Sequence, residues 1–238
     1  MTRNLWISFL LLLFLGSSIQ VNAQRRVQLN LPSYDQKQYH FGFILGMNQM
    51  FFSMDRVPEF NELDSLYILE STPEMGFNIG IVSNLRLSEN WDLRFVPTLS
   101  FGERNLHYTF LLEDELFFED KKKIESTHID FPINLKFKAN RVNNFRAYLL
   151  SGVKFSIDLA SQAKKKEQDD ELRVKLERDD MALEFGVGFD FYTHYFKFGT
   201  ELKMSYGVHN LLRQENNIYT RGLDGLHSKI FQLSLTFE

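Results

Sequence analysis

The chain has no cysteine in 238 residues. Disulfides, thiol chemistry and cysteine-ligated zinc are therefore excluded. Beyond the first 15 residues it also lacks an apolar run long enough for a membrane-spanning helix, which needs about 20 residues. It has no strong excess of one charge. The formal net charge is −4, which argues against a general nucleic-acid binder. A secreted chain of this size without disulfides needs a large core or a closed, hydrogen-bonded sheet.

The N-terminus supplies the secretion signal. Arg3 is followed by an apolar run from Leu5 to Leu15, and Gly16, Ser17 and Ser18 break it. Val21-Asn22-Ala23 gives tolerated residues for cleavage before Gln24. This is the layout of a secretory signal peptide over residues 1–23. Loss of Arg3 takes the formal charge from −4 to −5. No cysteine stands at the cleavage point, so a lipid anchor on cysteine is excluded.

What the mature chain does have is phenylalanine, 24 in all, and alternation. Eight segments place apolar residues at every second position. They run from Tyr39 to Met50, Glu74 to Leu85, Trp91 to about Phe110, and His128 to Ala139. The others are Phe145 to Ala160, Met181 to Tyr192, Phe196 to Gly207, and Ser228 to Phe237. The fourth is the clearest. Ile129, Phe131, Ile133, Leu135 and Phe137 oppose His128, Asp130, Asn134, Lys136 and Lys138. Period 2 specifies strands, because a helix repeats every 3.6 residues. In the third segment Leu106, Tyr108 and Phe110 fall on the other parity, which predicts a bulge near Glu103. Pro132, inside a strand, predicts one weakly paired position.

The connections alternate short and long. Ser88-Glu89-Asn90, Asn140 to Asn144, and Thr193-His194-Tyr195 are short. Phe51 to Pro73, Leu111 to Lys123, Ser161 to Asp180, and Val208 to His227 are long. The reading is an all-β fold: an eight-stranded antiparallel up-and-down transmembrane β-barrel over residues 39–238. It sits in the cell outer membrane with short periplasmic turns, long outer loops and periplasmic termini. Gln24 to Gln38 is expected to be a periplasmic tail or partial plug. The alternative is a soluble lipocalin-like barrel, whose apolar face points inward. Against it, the apolar row from Ile129 to Tyr206 carries no Lys, Arg, Asp or Glu.

Ten of the thirteen glycines lie in these segments on the polar face. That face also carries Arg94, Arg104, Asp130, Lys136, Lys138, Arg146, Lys154, Asp158, Glu184, Asp190, Lys197, Glu201 and Lys203. Glycine is expected to leave room for these long side chains. An eight-stranded barrel has room inside only for side chains. Mixed charges on adjacent strands predict a packed salt-bridge network rather than an ion path. His128 and Asp130 share a face about 7 Å apart by strand rise. That raises a general base with its carboxylate, but no serine or threonine is tied to them by a motif. No catalytic, cofactor or metal site is expected, and the chain is not expected to be an enzyme. The runs Lys121-Lys122-Lys123 and Lys164-Lys165-Lys166 are placed in outer loops, as solvated charge or contacts to anionic lipid. Leu233, Leu235 and Phe237 resemble the C-terminal signal of outer-membrane barrels, except that Glu238 comes last.

The stretch Thr127-His128-Ile129-Asp130-Phe131-Pro132-Ile133-Asn134-Leu135-Lys136-Phe137-Lys138-Ala139 resembles the PorT (also called SprT) family of the Bacteroidetes. So do Arg141, Asn143-Asn144, Tyr148, Gly152 and Asp158-Leu159-Ala160-Ser161. Tyr39 to Phe43 and Leu45 to Asn48 are similar to the start of that barrel. The resemblance runs from about Tyr39 to Glu238. It implies a non-catalytic component of the type IX secretion system, which exports proteins with a conserved C-terminal domain and is linked to gliding motility. A barrel this narrow cannot pass a folded protein, so the implied role is an accessory subunit. The implied partners are outer-membrane lipid and other outer-membrane or periplasmic subunits of that system, with no nucleic acid and no small-molecule substrate. The alternative is a small structural or adhesive barrel acting through its surface loops.

Overall fold

A computed structural model describes residues 28–57, 66–111, 117–159, 176–213, 220 and 222–238. The signal peptide expected over residues 1–23 and the run Lys164–Lys166 lie outside the described residues. Nine strands form: β1 (Tyr39–Arg56), β2 (Leu66–Arg86), β3 (Trp91–Phe95), β4 (Thr98–Leu111), β5 (Phe117–Lys138), β6 (Phe145–Asp158), β7 (Asp179–Tyr192), β8 (Lys197–Gly207) and β9 (Leu223–Phe237). β3 and β4 are halves of one staves-length strand, interrupted at Val96-Pro97. Both pair with β2 on one side and β5 on the other. The neighbours then run β1–β9–β8–β7–β6–β5–β3/β4–β2, and β2 pairs with β1 to close the ring. The fold is an eight-stranded antiparallel barrel.

The inside–outside sense follows the alternation. Phe41, Met75, Phe77, Ile81, Ile133, Leu149, Phe185, Leu202 and Leu233 are exposed on the outside, while the polar row is buried. A soluble barrel has the reverse arrangement. At the end with the short turns the outward aromatics contact one another, in stacked, tilted and edge-on arrangements. Trp91 lies 4.9 Å from Phe137, Phe198 lies 5.4 Å from Phe237, and Phe43 stacks on Phe237 at 4.8 Å. Phe145, Phe191 and Phe198 continue the same girdle, as expected at a membrane interface.

Two prolines share one irregular spot. Pro132 pairs with Lys154 on the β6 side. Its other side faces the β3/β4 break, where Val96 N–H reaches the Pro132 carbonyl at 3.4 Å. A strand residue aims its N–H and C=O toward the same neighbour. The donor that Pro132 lacks is thus missing where the neighbouring strand is already interrupted.

The bulge expected near Glu103 is not there. β4 pairs with β5 without a shift from Thr98 to Leu111. Arg104, Leu106 and Tyr108 stay on the inward row and are buried. The irregularity is in β2: Pro73 faces Arg104 and Phe77 faces Phe101, so β2 carries an extra residue. The apolar residues did not change face. The interior itself turns apolar at the long-loop end. There Phe52, Leu69, Leu106, Tyr108, Leu176, Leu211, Leu212, Leu223 and Leu226 form one buried cluster.

The strands also outrun the expected loops. β1 continues to Arg56, β2 begins at Leu66, β5 at Phe117 and β9 at Leu223. The run Lys121-Lys122-Lys123, expected in a loop, is therefore part of β5. Beyond the hydrocarbon both faces of these extensions can be polar, which hides the alternation.

The inward glycines clear space, though less for charged side chains than expected. A Cβ on Gly188 would stand 2.2 Å from Cζ of Tyr148, and one on Gly102 would stand 2.7 Å from Sδ of Met50. Replacing Gly188→Ala must push the Tyr148 ring, which carries a hydrogen bond to Glu201. Overpacking of this kind costs about 1–3 kcal/mol. The expected result is a lower temperature for loss of the folded band in semi-native electrophoresis. An unchanged temperature would show slack around Tyr148.

Candidate functional site

The interior and its short-turn mouth hold the polar groups. All thirteen inward charges expected from the sequence are buried. Three carboxylates join them: Asp92, Asp180 and Glu238. The cations are Arg94, Arg104, Lys136, Lys138, Arg146, Lys154, Lys197 and Lys203. The carboxylates are Asp92, Asp130, Asp158, Asp180, Glu184, Asp190, Glu201 and Glu238. Among the described residues this is eight of each sign.

The pairs are stacked along the barrel. Nearest the short turns, Lys197 Nζ donates to Glu238 Oε2 at 2.9 Å. Arg94 donates to Glu201 at 2.8 Å and stands 3.7 Å from Glu238. Lys136 donates to Asp190 at 2.8 Å and sits 3.6 Å over the Tyr148 ring. Lys138 pairs with Asp92 at 2.6 Å, and Asp92 also accepts from Asn84. Midway, Glu184 takes Lys203 at 3.3 Å and accepts from Asn134 and Ser205. Higher, Asp130 accepts from Ser100 and Ser156, with Lys154 at 3.9 Å. Arg104 lies beneath the apolar cluster, 4.4 Å from the Phe52 ring centre.

His128 and Asp130, which share a strand face, are not paired with each other. His128 Nε2 stands 3.5 Å from Asp158 and 3.0 Å from the Arg104 guanidinium. Both Asp130 oxygens are taken by serine hydroxyls, and Ser126 accepts from Arg104. No hydroxyl is hydrogen-bonded to His128 among the described residues. No group of metal-ligating residues occurs among them either. The geometry is that of packing.

The second feature is the segment 28–38, which folds across the short-turn mouth. A 3-10 turn, Tyr34–Gln36, sets it in place. Tyr34 stacks on His40 at 4.1 Å, its carbonyl is 2.8 Å from His40 Nε2, and its hydroxyl donates to Glu238 at 3.3 Å. Asp35 is held by both terminal nitrogens of Arg146, at 2.9 and 3.1 Å, and by the Tyr192 hydroxyl at 2.9 Å. Arg141 stacks on the Tyr192 ring at 3.6 Å, lies 3.6 Å from Asp35 and bonds the Asn30 carbonyl. Asn144 accepts from Asn30 N–H. A tail or partial plug is the expectation for Gln24 to Gln38, but the pairing of Asp35 with Arg146, 111 residues away, leaves no mark in the sequence.

Burial alone would raise the Asp35 carboxyl. The Arg146 guanidinium, the Tyr192 hydroxyl and Arg141 outweigh it and hold the group below its ordinary pKa. A depressed carboxylate contributes stability above its unfolded pKa and loses it as pH falls through the folded one.

Comparison with known proteins agrees with the barrel. The family described as "Outer membrane protein beta-barrel domain" matches residues 22–213. No curated protein matches the chain. Among solved structures, Ail, the attachment invasion locus protein of Yersinia pestis, is 13% identical with a TM-score of 0.39, over 84% of this chain and 99% of that one. OprG from Pseudomonas aeruginosa is 12% identical with a TM-score of 0.42, over 84% and 92%. Neisserial surface protein A is 7% identical with a TM-score of 0.40, over 84% and 98%.

Two outcomes follow. Lys136→Met leaves Asp190 buried without its closest cation and should cost about 3–5 kcal/mol, with Asp190→Asn in the same chain recovering much of it. Urea unfolding in detergent measures both, and an equal loss in the double variant would argue against pairing as the cause. A spin label at Leu29→Cys should be ordered at neutral pH and mobile in Asp35→Asn. In the parent it should become mobile only as pH falls through the depressed Asp35 pKa. A label equally ordered in Asp35→Asn would remove the clasp.

Proposed function

The chain belongs to the family of outer membrane protein β-barrel domains, and we propose that within it this barrel is a non-catalytic accessory subunit of the type IX secretion system. The observation that carries the reading is the filled interior. Paired charges occupy the spanning region, an apolar cluster lies over it, and the 28–38 strap lies across the short-turn mouth. In such barrels the short turns face the periplasm, so strap and mouth are where a periplasmic partner meets the chain. A closed barrel acts through its rims and not as a conduit.

The family resemblance supplies the system. Its residues are those that build the interior: His128, Asp130, Asn134, Lys136 and Lys138 face the lumen, and Arg141 and Asn144 hold the strap. The partners are then outer-membrane lipid and other outer-membrane or periplasmic subunits of that system. A second reading, adhesion through the outer surface, draws on the tall outer wall of β4 and β5.

Deleting the gene should trap cargo carrying the conserved C-terminal domain in the periplasm, read by proteomics of medium and periplasm. Re-expression of the wild-type barrel should restore export. Normal export in the deletion strain would overturn the secretion role. Normal export combined with lost surface attachment would favour adhesion.

A further inference from the structure

The lipid face carries one long depression. An outward row crosses the strands from Phe231 on β9 through Met204 and Phe185 to Ser151 on β6. The next outward row runs from Leu202 through Val187 to Leu149. Between the two rows Leu150 and Lys203 turn inward and are buried, and Gly186 has no side chain. The result is a groove of about 720 Å³ with an almost wholly apolar lining, inside the roughly 300–1,000 Å³ of ligand sites. It reaches from Phe231 on β9 to Leu135 on β5. Neighbouring strands are about 4.8 Å apart, so its length across five strands is about 19 Å. One leaflet of hydrocarbon is about 15 Å deep, half of the core. The groove therefore matches one acyl chain.

A cation stands at its upper end. Lys229 follows Phe231 on the same outward row, toward the long loops. Its Nζ lies 5.5 Å from the Phe51 ring centre and 5.9 Å from that of Phe231. The two rings stack at 5.9 Å and form its platform. Tyr206 is directly opposite Lys229 on β8, and exposed Gln49 is opposite Phe231 on β1. Polar tips thus gather where the groove opens. Lys229 is eight residues beyond Phe237 of the short-turn girdle. That is about 26 Å along a strand, and about 20 Å in height at a tilt of about 40°. The apolar band is about 25 Å tall, so Lys229 lies near its outer boundary. Asp55, higher on that face, is taken by His227 at 3.2 Å. Among the described residues no carboxylate pairs with Lys229.

We propose that this groove holds one acyl chain of a lipid A molecule of the outer leaflet, with a headgroup phosphate on Lys229. The long-loop end faces outward, and lipid A is the phosphate-bearing lipid of that leaflet. The rings of Phe51 and Phe231 keep the ammonium at the groove's mouth, where the phosphate meets it as the chain enters. The Tyr206 hydroxyl and the Gln49 amide add hydrogen bonds to the headgroup. This stands independently of the secretion reading.

The test uses the full mature chain in a non-ionic detergent, titrated with lipid A, and counts bound lipid by native mass spectrometry. Saturable retention of lipid A is expected, in preference to phosphatidylglycerol. Lys229→Met should weaken it about five-fold, the equivalent of roughly 1 kcal/mol for one cation at an anionic lipid surface. Lys229→Arg should not. Val187→Trp, which fills the groove, should weaken retention as well. Both positions face lipid, and the folded band in semi-native electrophoresis checks that each variant closes. Absence of saturable retention, or retention unchanged by Lys229→Met or by Val187→Trp, overturns the proposal. Equal retention of phosphatidylglycerol overturns lipid A as the occupant. Paired barrels that lipid A disperses and Val187→Trp abolishes assign the groove to a second copy and also overturn it.

Discussion

Everything in this molecule depends on closing the backbone inside hydrocarbon. With no water to satisfy an N–H or C=O, each strand must be paired on both sides, and only a ring achieves that. The β1–β2 pairing that shuts the ring runs from Tyr39 opposite Leu85 to Met50 opposite Glu74. Once the ring is closed, alternation leaves no choice: one row meets lipid, the other the lumen. An eight-stranded lumen is too narrow for bulk water, so polar side chains sent inward must satisfy one another. The eight cations and eight carboxylates are the consequence. Their pairing adds little net stability, since desolvation offsets the attraction. Its effect is to make the arrangement specific, because removing any partner strands a charge.

Above the membrane the constraint lifts, and the structure changes character at that height. Pro73 appears in β2 and an extra residue enters before Phe77. Leu69, Leu106 and Tyr108 turn the interior apolar, while Glu74, Glu103, Lys121 and Lys123 make the outer face polar. This is the ordinary sense of a soluble sheet, built on the same strands that are inside-out below. The chain thus switches solvent without switching strands.

The spanning part was legible in the sequence because lipid imposes period 2 on every strand at once. Ile129 to Phe137 shows it with no exception, and the thirteen inward charges follow from parity alone. The extensions were not legible, since a sheet between water and a small cap has no strict alternation; Lys121 to Lys123 read as a loop for that reason. Leu106 and Tyr108 misled because an apolar residue was taken to mean lipid, whereas here it marks an apolar interior. His128 and Asp130 are near each other along one strand but are not partners. The contacts of His128 come from the flanking strands, through Asp158 and Arg104, and that register cannot be read from one segment. Glu238 looked like a departure from a C-terminal aromatic signal. Parity gives both residues a place: Phe237 joins the outer girdle, and Glu238 takes Lys197 and Arg94 inside.

The strap completes the argument about function. A barrel already filled with ion pairs needs no plug to stop conduction, yet residues 28–38 are tied to the mouth by a half-buried carboxylate and two arginines. Asp35 makes its bonds to Arg146 and Tyr192, and among the described residues Arg146 has no strand carboxylate at such distance, although Asp190 stands opposite it in the β6–β7 ladder. The strap therefore satisfies a charge that the barrel leaves over. That makes the mouth a carboxylate-binding surface with an occupant from its own chain. The contact takes no part in closing the sheet; it neutralises Arg146 at the mouth. It fixes where residues 28–38 lie across the short-turn mouth.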